Sequence, residues 1–406
     1  MLLAWVIANT LLAPLLVQIG PYALGANVAS SLLIGAFSMV QRKMVKAQAI
    51  RGALILGSIF IFSFLSGFFN SCGGDLVKSG LTYFLFMLLV VIGLDVGRRA
   101  KDQDWLLLQG SVDWILLSAY LTFVMEFVSP QLIHQSAVYR LTGRLVGIFG
   151  EPSHVAYLLF PLIAIKLSSL KFKNRAMGWF HVLILFLISR SSTLMILVVA
   201  WVAYKMILLE RFKQGIAFLI FLGIVIIVAS LYDYKLLVEP FVNRVAGVFG
   251  FDGVTNISSL VYIQGWQDAV YNLKRTSGFG LGFNQMGCDP IPQVSARSLL
   301  ATMHYASNAD DGSFLVSKIV SEFGVWGICL VFYFLFLWIK QERRLKFCID
   351  ILTAEVGAAK NALLFTFVVT SFVRSAGYFF GEPLLILVAI GGGSHFLNIK
   401  RLESKI

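Results

Sequence analysis

The chain has 406 residues, of which 58% are hydrophobic and only 13% are charged. Soluble domains carry about 25% charged residues, so this composition excludes an ordinary soluble protein. Apolar runs recur from one end of the chain to the other, which predicts an all-α membrane protein that crosses the bilayer many times.

We place about twelve membrane spans, each close to the 17–25 residues that a bilayer requires. In chain order they cover residues 2–19, 22–40, 52–70, 80–97, 105–128, 153–167, 176–190, 192–208, 215–232, 313–339, 360–376 and 383–399. The first span is interpreted as a permanent helix, because no basic segment and no small-residue cleavage site mark it as a signal peptide.

The net charge of +12 follows this topology. Lys and Arg concentrate in alternate connections and in the tail, at residues 42–51, 98–101, 166–175, 205–213, 340–360 and 400–405. The positive-inside rule puts these segments and both termini in the cytoplasm. The basic balance is therefore no sign of nucleic-acid binding.

One connection breaks the pattern and divides the chain. Residues 1–232 hold spans one to nine, residues 233–312 form a large outer loop, and residues 313–406 hold the last three spans. A loop this long should have structure of its own. Within the loop we predict one amphipathic helix that could lie in the outer membrane–water interface. Its apolar face consists of Leu260, Ile263, Trp266, Val270 and Leu273.

Ionisable residues crowd the outer mouth of the sixth span. Arg144, Glu151 and His154 lie within eleven residues of one another, directly before an apolar run. Pro152 and Ser153 are typical of a helix start and need no further role. Charge at the edge of a membrane helix is costly, so Arg144 and Glu151 are the pair most indicative of a functional site.

Arginine predominates among the basic residues predicted outside. Its guanidinium group binds phosphate oxygens in pairs and stays charged, which suits a pyrophosphate held at the membrane surface. The candidates for this contact are Arg144, Arg190, Arg244, Arg275 and Arg374. For any one of them, contact with lipid headgroups is the alternative.

Two side chains are candidates for a general base. Glu151 lies among arginines, and His304 opens a polar outer segment, residues 304–311. The acidic pair Asp310 and Asp311 resembles a metal–nucleotide-sugar site, but nucleotide sugars are cytoplasmic and this pair is predicted outside. No cluster has metal-ligand spacing, so neither a metal nor another cofactor is expected.

Other features have a structural interpretation beside the functional one. Lys318 and Glu322 are one turn apart, which favours an i,i+4 pair. Asp113 falls inside the fifth span, where a carboxylate is a functional candidate unless the span boundary is shifted. The glycines at 278, 280 and 282 favour a turn over a phosphate cradle.

Together these features resemble the bacterial O-antigen polymerase and ligase superfamily, most closely a Wzy-type polysaccharide polymerase. The resemblance rests on R-x-x-G-x-F-x-E-P-S at 144–153, S-R at 189–190, W-x-x-A at 266–269 with G-x-G-x-G at 278–282, and a polar patch at 304–311 before E-x-G-x-x-G at 322–327. Ligases usually show N-P-N where this chain has E-P-S, which favours a polymerase. The arginine often found before W-x-x-A is missing, since Tyr262 and Ile263 stand there.

The resemblance implies a GT-C-like fold in the bacterial inner membrane and a metal-independent transfer of glycan between undecaprenyl-pyrophosphate-linked oligosaccharides. Arginines would bind the pyrophosphate, and Glu151 or His304 would accept the proton. We assign sugar contacts to Trp266, Asp311 and Tyr378. A chain-length regulator protein is a further expected partner. An O-antigen ligase, and a flippase that moves lipid-linked oligosaccharide, are the alternatives.

Overall fold

The computed structural model describes residues 1–19, 22–40, 54, 57–66, 76–129, 145–209, 257–287, 312–374 and 377–392. Helices dominate these residues, as the sequence predicts. They are α1 (Leu2–Leu11), α2 (Ala26–Val40), α3 (Gly57–Ser66), α4 (Leu76–Arg99), α5 (Asp102–Val128), α6 (Pro152–Ser168), α7 (Phe172–Ser189), α8 (Ser192–Leu209), α9 (Ile257–Arg275), α10 (Leu315–Leu345), α11 (Ile351–Val373) and α12 (Gly381–Gly391). A helix overlaps every predicted span within the described residues, and the span predicted at 215–232 lies outside them.

Several helices have the length and composition of membrane spans. In the described residues, α4, α5, α10 and α11 are long and apolar enough to cross a bilayer. Shorter apolar helices accompany them, among them α6 and α12. The described part of the chain is therefore mainly helical and of membrane type, and α9 confirms that the segment predicted as a large loop contains a helix.

The extent predicted for the first span is wrong. α1 ends at Leu11, and an antiparallel hairpin follows in which β1 (Leu16–Ile19) pairs with β2 (Tyr22–Gly25). Pro14 explains the early end of the helix, because proline lacks an N–H and disfavours helical geometry in the residue before it. The second helix consequently starts at Ala26 rather than at residue 22.

α6 lies at the centre of the bundle. Every residue from Val155 to Ser168 is buried, with α5, α7, α8 and α11 packed around the helix. An apolar helix covered on all sides belongs in the interior. α6 and α11 are antiparallel. Glu151, at the start of α6, contacts Arg374 at the end of α11, and Ser169, after the end of α6, donates to Glu355 near the start of α11. This agrees with the predicted alternation of chain direction.

α10 is interrupted at Gly324, whose φ of 57° and ψ of −131° are not helical. The glycine loop, residues 277–287, fills the interruption. Backbone hydrogen bonds join the two segments, from Leu281 to Ser321 at 2.9 Å, from Gly282 to Glu322 at 2.9 Å, and from Val325 to Gly278 at 2.8 Å. The loop thus replaces the helical bonds that α10 gives up at the break.

The buried carboxylate of Glu322 holds the glycine loop from the helix side. It accepts the N–H groups of Asn284 at 2.9 Å and Met286 at 3.2 Å, and the hydroxyl of Tyr378 at 2.7 Å. The ammonium group of Lys318 lies 3.5 Å away, which confirms the predicted i,i+4 pair. One acid therefore ties α10, the loop and the segment before α12 together.

We predict that Gly324→Ala destabilises the protein by about 3 kcal/mol or more, since the added Cβ is both strained and overpacked. That atom would lie 2.0 Å from the carbonyl oxygen of Gly278. The matched control is Gly110→Ala in α5, where a Cβ meets nothing within 4 Å. Thermal aggregation of the detergent-solubilised variants measures the effect. Equal melting temperatures for the two variants would contradict the role of the break.

Candidate active site

A buried carboxylate shapes the chain that leads into α6. Glu126, near the end of α5, is 2% exposed and accepts the N–H groups of Val146 and Gly147 at 2.7 and 2.6 Å. Gly147 has a φ of 56°, and a Cβ there would lie 2.3 Å from the hydroxyl oxygen of Thr122, so the turn requires glycine. These contacts fix the point at which α6 begins.

Glu151 is the N-cap residue of α6, a position where the helix dipole favours an acid. Its Oε2 accepts the hydroxyl of Ser153 at 3.0 Å and the guanidinium of Arg374 at 3.2 Å, and it lies 3.8 Å from Nε2 of His154. Within the described residues no contact falls on Oε1, and the side chain is 45% exposed. Among these residues, one carboxylate oxygen is held and the other has no contact.

Arg374 comes directly after α11 and completes the cluster. Its side chain is 18% exposed, and it reaches Glu151 across 223 residues of sequence. A cation at the end of a helix is favoured by the helix dipole, as an anion is at the start of one. The antiparallel packing of α6 and α11 therefore brings two predicted site residues together at one end of the bundle.

His154 links the cluster to the surrounding chain. Its Nδ1 lies 3.0 Å from the carbonyl oxygen of Phe149, and its ring packs against Tyr157 and Phe380 at centroid distances of 5.2 and 5.5 Å. A ring held on both sides keeps Nε2 directed at Glu151. The structure thus makes His154 a full member of the site, a role for which the sequence offered little support.

Burial and charge act against each other on Glu151. Burial raises the pKa of its carboxyl group, but the charges of His154 and Arg374, with hydrogen bonds from Ser153 and Arg374, outweigh it and lower the pKa below the usual value. Glu151 is therefore ionised at neutral pH. As a carboxylate it can accept a hydrogen bond and orient Arg374.

Two further arginine candidates are described, and their pyrophosphate role stays a prediction. Arg190 is the C-cap residue of α7, in the left-handed conformation with a φ of 47°, and is half-buried. Arg275 ends α9 and is exposed. No described contact joins either of them to Glu151 or Arg374.

The two described sugar-contact candidates differ in exposure. Trp266 is 37% exposed, and its ring lies 6.4 Å from that of Phe372, two residues before Arg374. Tyr378 is 5% exposed and stacks on Phe283 at 5.0 Å, with its hydroxyl committed to the carboxylate in α10. Their contact with glycan stays a prediction, and Trp266 is the one that presents a ring surface.

Other candidates lie outside the described residues. They are Arg144, Arg244, His304 and Asp311, together with Cys72 and Cys288, for which both a disulfide and two free thiols are open. Their assigned roles remain predictions.

In the glycine loop, the N–H groups of Gly278, Gly280 and Gly282 are all engaged and are not free to bind a phosphate. Gly278 donates to the Leu273 carbonyl at 2.8 Å, Gly280 to the Thr276 hydroxyl at 2.9 Å, and Gly282 to the carbonyl of Glu322 at 2.9 Å. The structure therefore supports a packing role for the loop rather than a phosphate cradle.

A second ionic network lies toward the opposite end of α6. Asp113 in α5 contacts Lys166 at 2.8 Å and Nε2 of His181 at 3.1 Å, and Nδ1 of His181 lies 2.9 Å from the hydroxyl of Tyr120. Lys166 and His181 are nearly buried, whereas the Asp113 side chain is 41% exposed. The charge predicted inside the fifth span is therefore paired there.

Sequence reasoning missed Glu126 and this network. Glu126 binds backbone 20 residues away, and Asp113 pairs with side chains 53 and 68 residues away, so no local motif reveals either arrangement. The feature of the sequence that could have pointed to both arrangements is an acidic residue inside an apolar span. In the described part of the chain, no three His, Cys, Asp or Glu side chains are grouped to hold a metal ion.

Comparison with known proteins gives no match. No protein-family model, no curated protein and no solved structure is significantly similar to the chain. A function must therefore be argued from the site itself.

We predict that Glu126→Leu destabilises the protein by about 2–4 kcal/mol, because it leaves two buried N–H groups without an acceptor. Glu126→Gln keeps one acceptor oxygen and should cost less. Thermal melting in detergent ranks the two variants. If they melt together, the carboxylate does not hold the turn.

Proposed function

We propose that this chain is a membrane glycosyltransferase that polymerises undecaprenyl-pyrophosphate-linked oligosaccharide repeat units at the outer face of the bacterial inner membrane. The proposal includes about twelve spans, a GT-C-like fold, cytoplasmic termini and a chain-length regulator as partner. The observation that carries it is the cluster of Glu151, Arg374 and His154 at the mouth of α6.

The cluster has the chemistry that glycan transfer from a lipid pyrophosphate needs. An acceptor hydroxyl attacks the anomeric carbon of the donor, the carbon–oxygen bond to pyrophosphate breaks, and the pyrophosphate lipid leaves. Arg374 lies where it can stabilise the negative charge that develops on the leaving group. Oε1 of Glu151 is available for the acceptor proton, and His304 is the alternative base.

A small apolar recess lies near this cluster. It lies between α10 and α11, with Val316, Ile319, Phe367 and Phe372 among its lining residues. The last of these is two residues before Arg374.

One observation favours transport as a second candidate function. The network of Asp113, Lys166 and His181 is a set of ionisable groups within the helical bundle, and such groups often line proton or substrate pathways in transporters. A flippase would move lipid-linked oligosaccharide without forming a bond. An O-antigen ligase is the enzyme alternative, distinguished by its acceptor, lipid A-core.

We predict that Glu151→Gln and Arg374→Ala each lower polymerisation about 100-fold or more, because they remove a proton acceptor and a transition-state charge. Arg144→Ala and His304→Ala test the candidates outside the described residues. Complementation of a polymerase-null strain measures the outcome as loss of the long-chain ladder with retention of the single-repeat product.

The control is Arg343→Ala, an exposed arginine in the last turn of α10, which should keep a full ladder. Full ladders from all four site variants would refute the site. A wild-type chain that transports repeats but never makes a ladder would favour the flippase.

A further inference from the structure

α9 buries a row of polar side chains and exposes large apolar ones. Trp266 and Val270, on the predicted apolar face, are 37% and 48% exposed. Gln264, Asp268 and Asn272 follow one another at intervals of four residues on another face and are 3%, 1% and 2% exposed. An ordinary surface helix has the reverse arrangement. An outward apolar face suits contact with lipid, and the buried polar face requires a partner of its own.

Each residue of this buried row has a polar atom without a hydrogen-bond partner. Gln264 Oε1, Asp268 Oδ1 and Asn272 Nδ2 make no hydrogen bond, and the bond between Gln264 Nε2 and Asp268 Oδ2 is long, at 3.4 Å. Leaving such atoms buried and unpaired costs about 1–3 kcal/mol each. Folded proteins pair more than about 90% of their buried polar groups, so a row of unpaired atoms indicates an absent ligand or water.

α10 carries a further unpaired hydroxyl group, one turn after a contact with α9. The Ser317 hydroxyl donates to the carbonyl of Gly265 at 2.6 Å, and Val325 donates to Gly278 at 2.8 Å, so the two segments run side by side in the same direction. Between these two contacts lies Ser321, fully buried, with a hydroxyl that has no partner. We name these four buried residues with unpaired atoms the polar seam, namely Gln264, Asp268, Asn272 and Ser321.

Unpaired atoms are concentrated around this seam. Of the fifteen buried side-chain atoms without a partner in the described residues, six belong to residues 264–272 and 313–321. Those two short segments pack against each other through Trp266 and Phe314, whose ring centroids are 5.0 Å apart. Such a concentration favours one shared site over scattered packing defects.

We propose that the polar seam binds a sugar residue of the glycan, with Asp268 accepting a sugar hydroxyl. This assignment rests on the proposed function for the source of the sugar. The unpaired atoms of the seam also match a sugar in their chemistry. They are two acceptor oxygens, one amide donor and one hydroxyl group, and sugar hydroxyls can both donate and accept hydrogen bonds. A phosphate is disfavoured by the carboxylate, and a cation is disfavoured by the Nδ2 donor of Asn272.

The ionisation of Asp268 fits the role of acceptor. Burial raises the pKa of Asp268 to about 6, and the hydrogen bond from Gln264 opposes this only in part. The group is therefore mostly ionised at neutral pH.

The test uses the full chain in nanodiscs and a defined probe, namely the oligosaccharides released by mild acid from the lipid-linked pool of the strain that carries the chain. Saturation-transfer difference NMR measures their binding. Asp268→Asn and Asn272→Leu should each weaken binding about 10-fold, which corresponds to one lost hydrogen bond. Ser321→Ala should weaken it less. Lys274→Gln, exposed on the same helix, should bind like the wild type.

Several results would overturn the proposal. One is that both Asp268→Asn and Asn272→Leu bind the oligosaccharide with wild-type affinity. Another is that the wild type shows no saturation transfer. A third is that Na⁺, Mg²⁺ or Ca²⁺ raises the melting temperature of the wild type but not that of Asp268→Asn, which would indicate a cation site. A more stable Asp268→Leu variant with unchanged binding would mean that the seam holds only water. Melting temperatures of all variants separate lost binding from lost folding.

Failure of this site and failure of the proposed function give different results. If the wild type binds the oligosaccharide through Asp268 but makes no ladder, the polymerase proposal fails and the seam stands. If it makes a ladder while the Asp268→Asn variant binds and polymerises normally, the seam fails and the polymerase stands.

Discussion

The antiparallel contact between α6 and α11 determines where the charged residues of this bundle can lie. α6 is buried along most of its length, so its polar contacts are confined to its two ends. At one end Glu151 meets Arg374, and at the other Ser169 and Gln109 meet Glu355. Unpaired charge is costly between apolar helices, so each end requires its partner. The candidate site exists because one of these ends remains partly open.

Buried acids organise the backbone around that contact. Glu126 accepts two N–H groups before α6, and Glu322 accepts two from the glycine loop. In surroundings of low polarity such bonds are strong when complete and costly when broken. These carboxylates act on the backbone, whereas Glu151 contacts side chains and has no described contact on Oε1. Acids of one residue type thus have separate tasks, decided by the groups that their oxygens contact.

Much of the architecture could be predicted from the sequence, because a bilayer demands long apolar runs and the helices overlap them. The hairpin after α1 could not be predicted in this way, because hydrophobicity averaged over the length of a whole span hides the effect of a single proline, Pro14. Glu151 and Arg374 were found singly as costly charges, but their pairing depends on packing across 223 residues. The polar seam was missed because Gln264, Asp268 and Asn272 look like the solvated side of an interfacial helix. Only their burial reveals that they need a partner.

The central claim is that a glycosidic bond forms at the mouth of α6 while a pyrophosphate lipid leaves. The most direct test is to count both products with the purified chain in liposomes that contain radiolabelled lipid-linked repeat units. The account predicts one undecaprenyl pyrophosphate released for each new linkage, in step with the lengthening glycan. Passage of intact lipid-linked repeats across the bilayer, with no lipid released and no longer glycan formed, would contradict it.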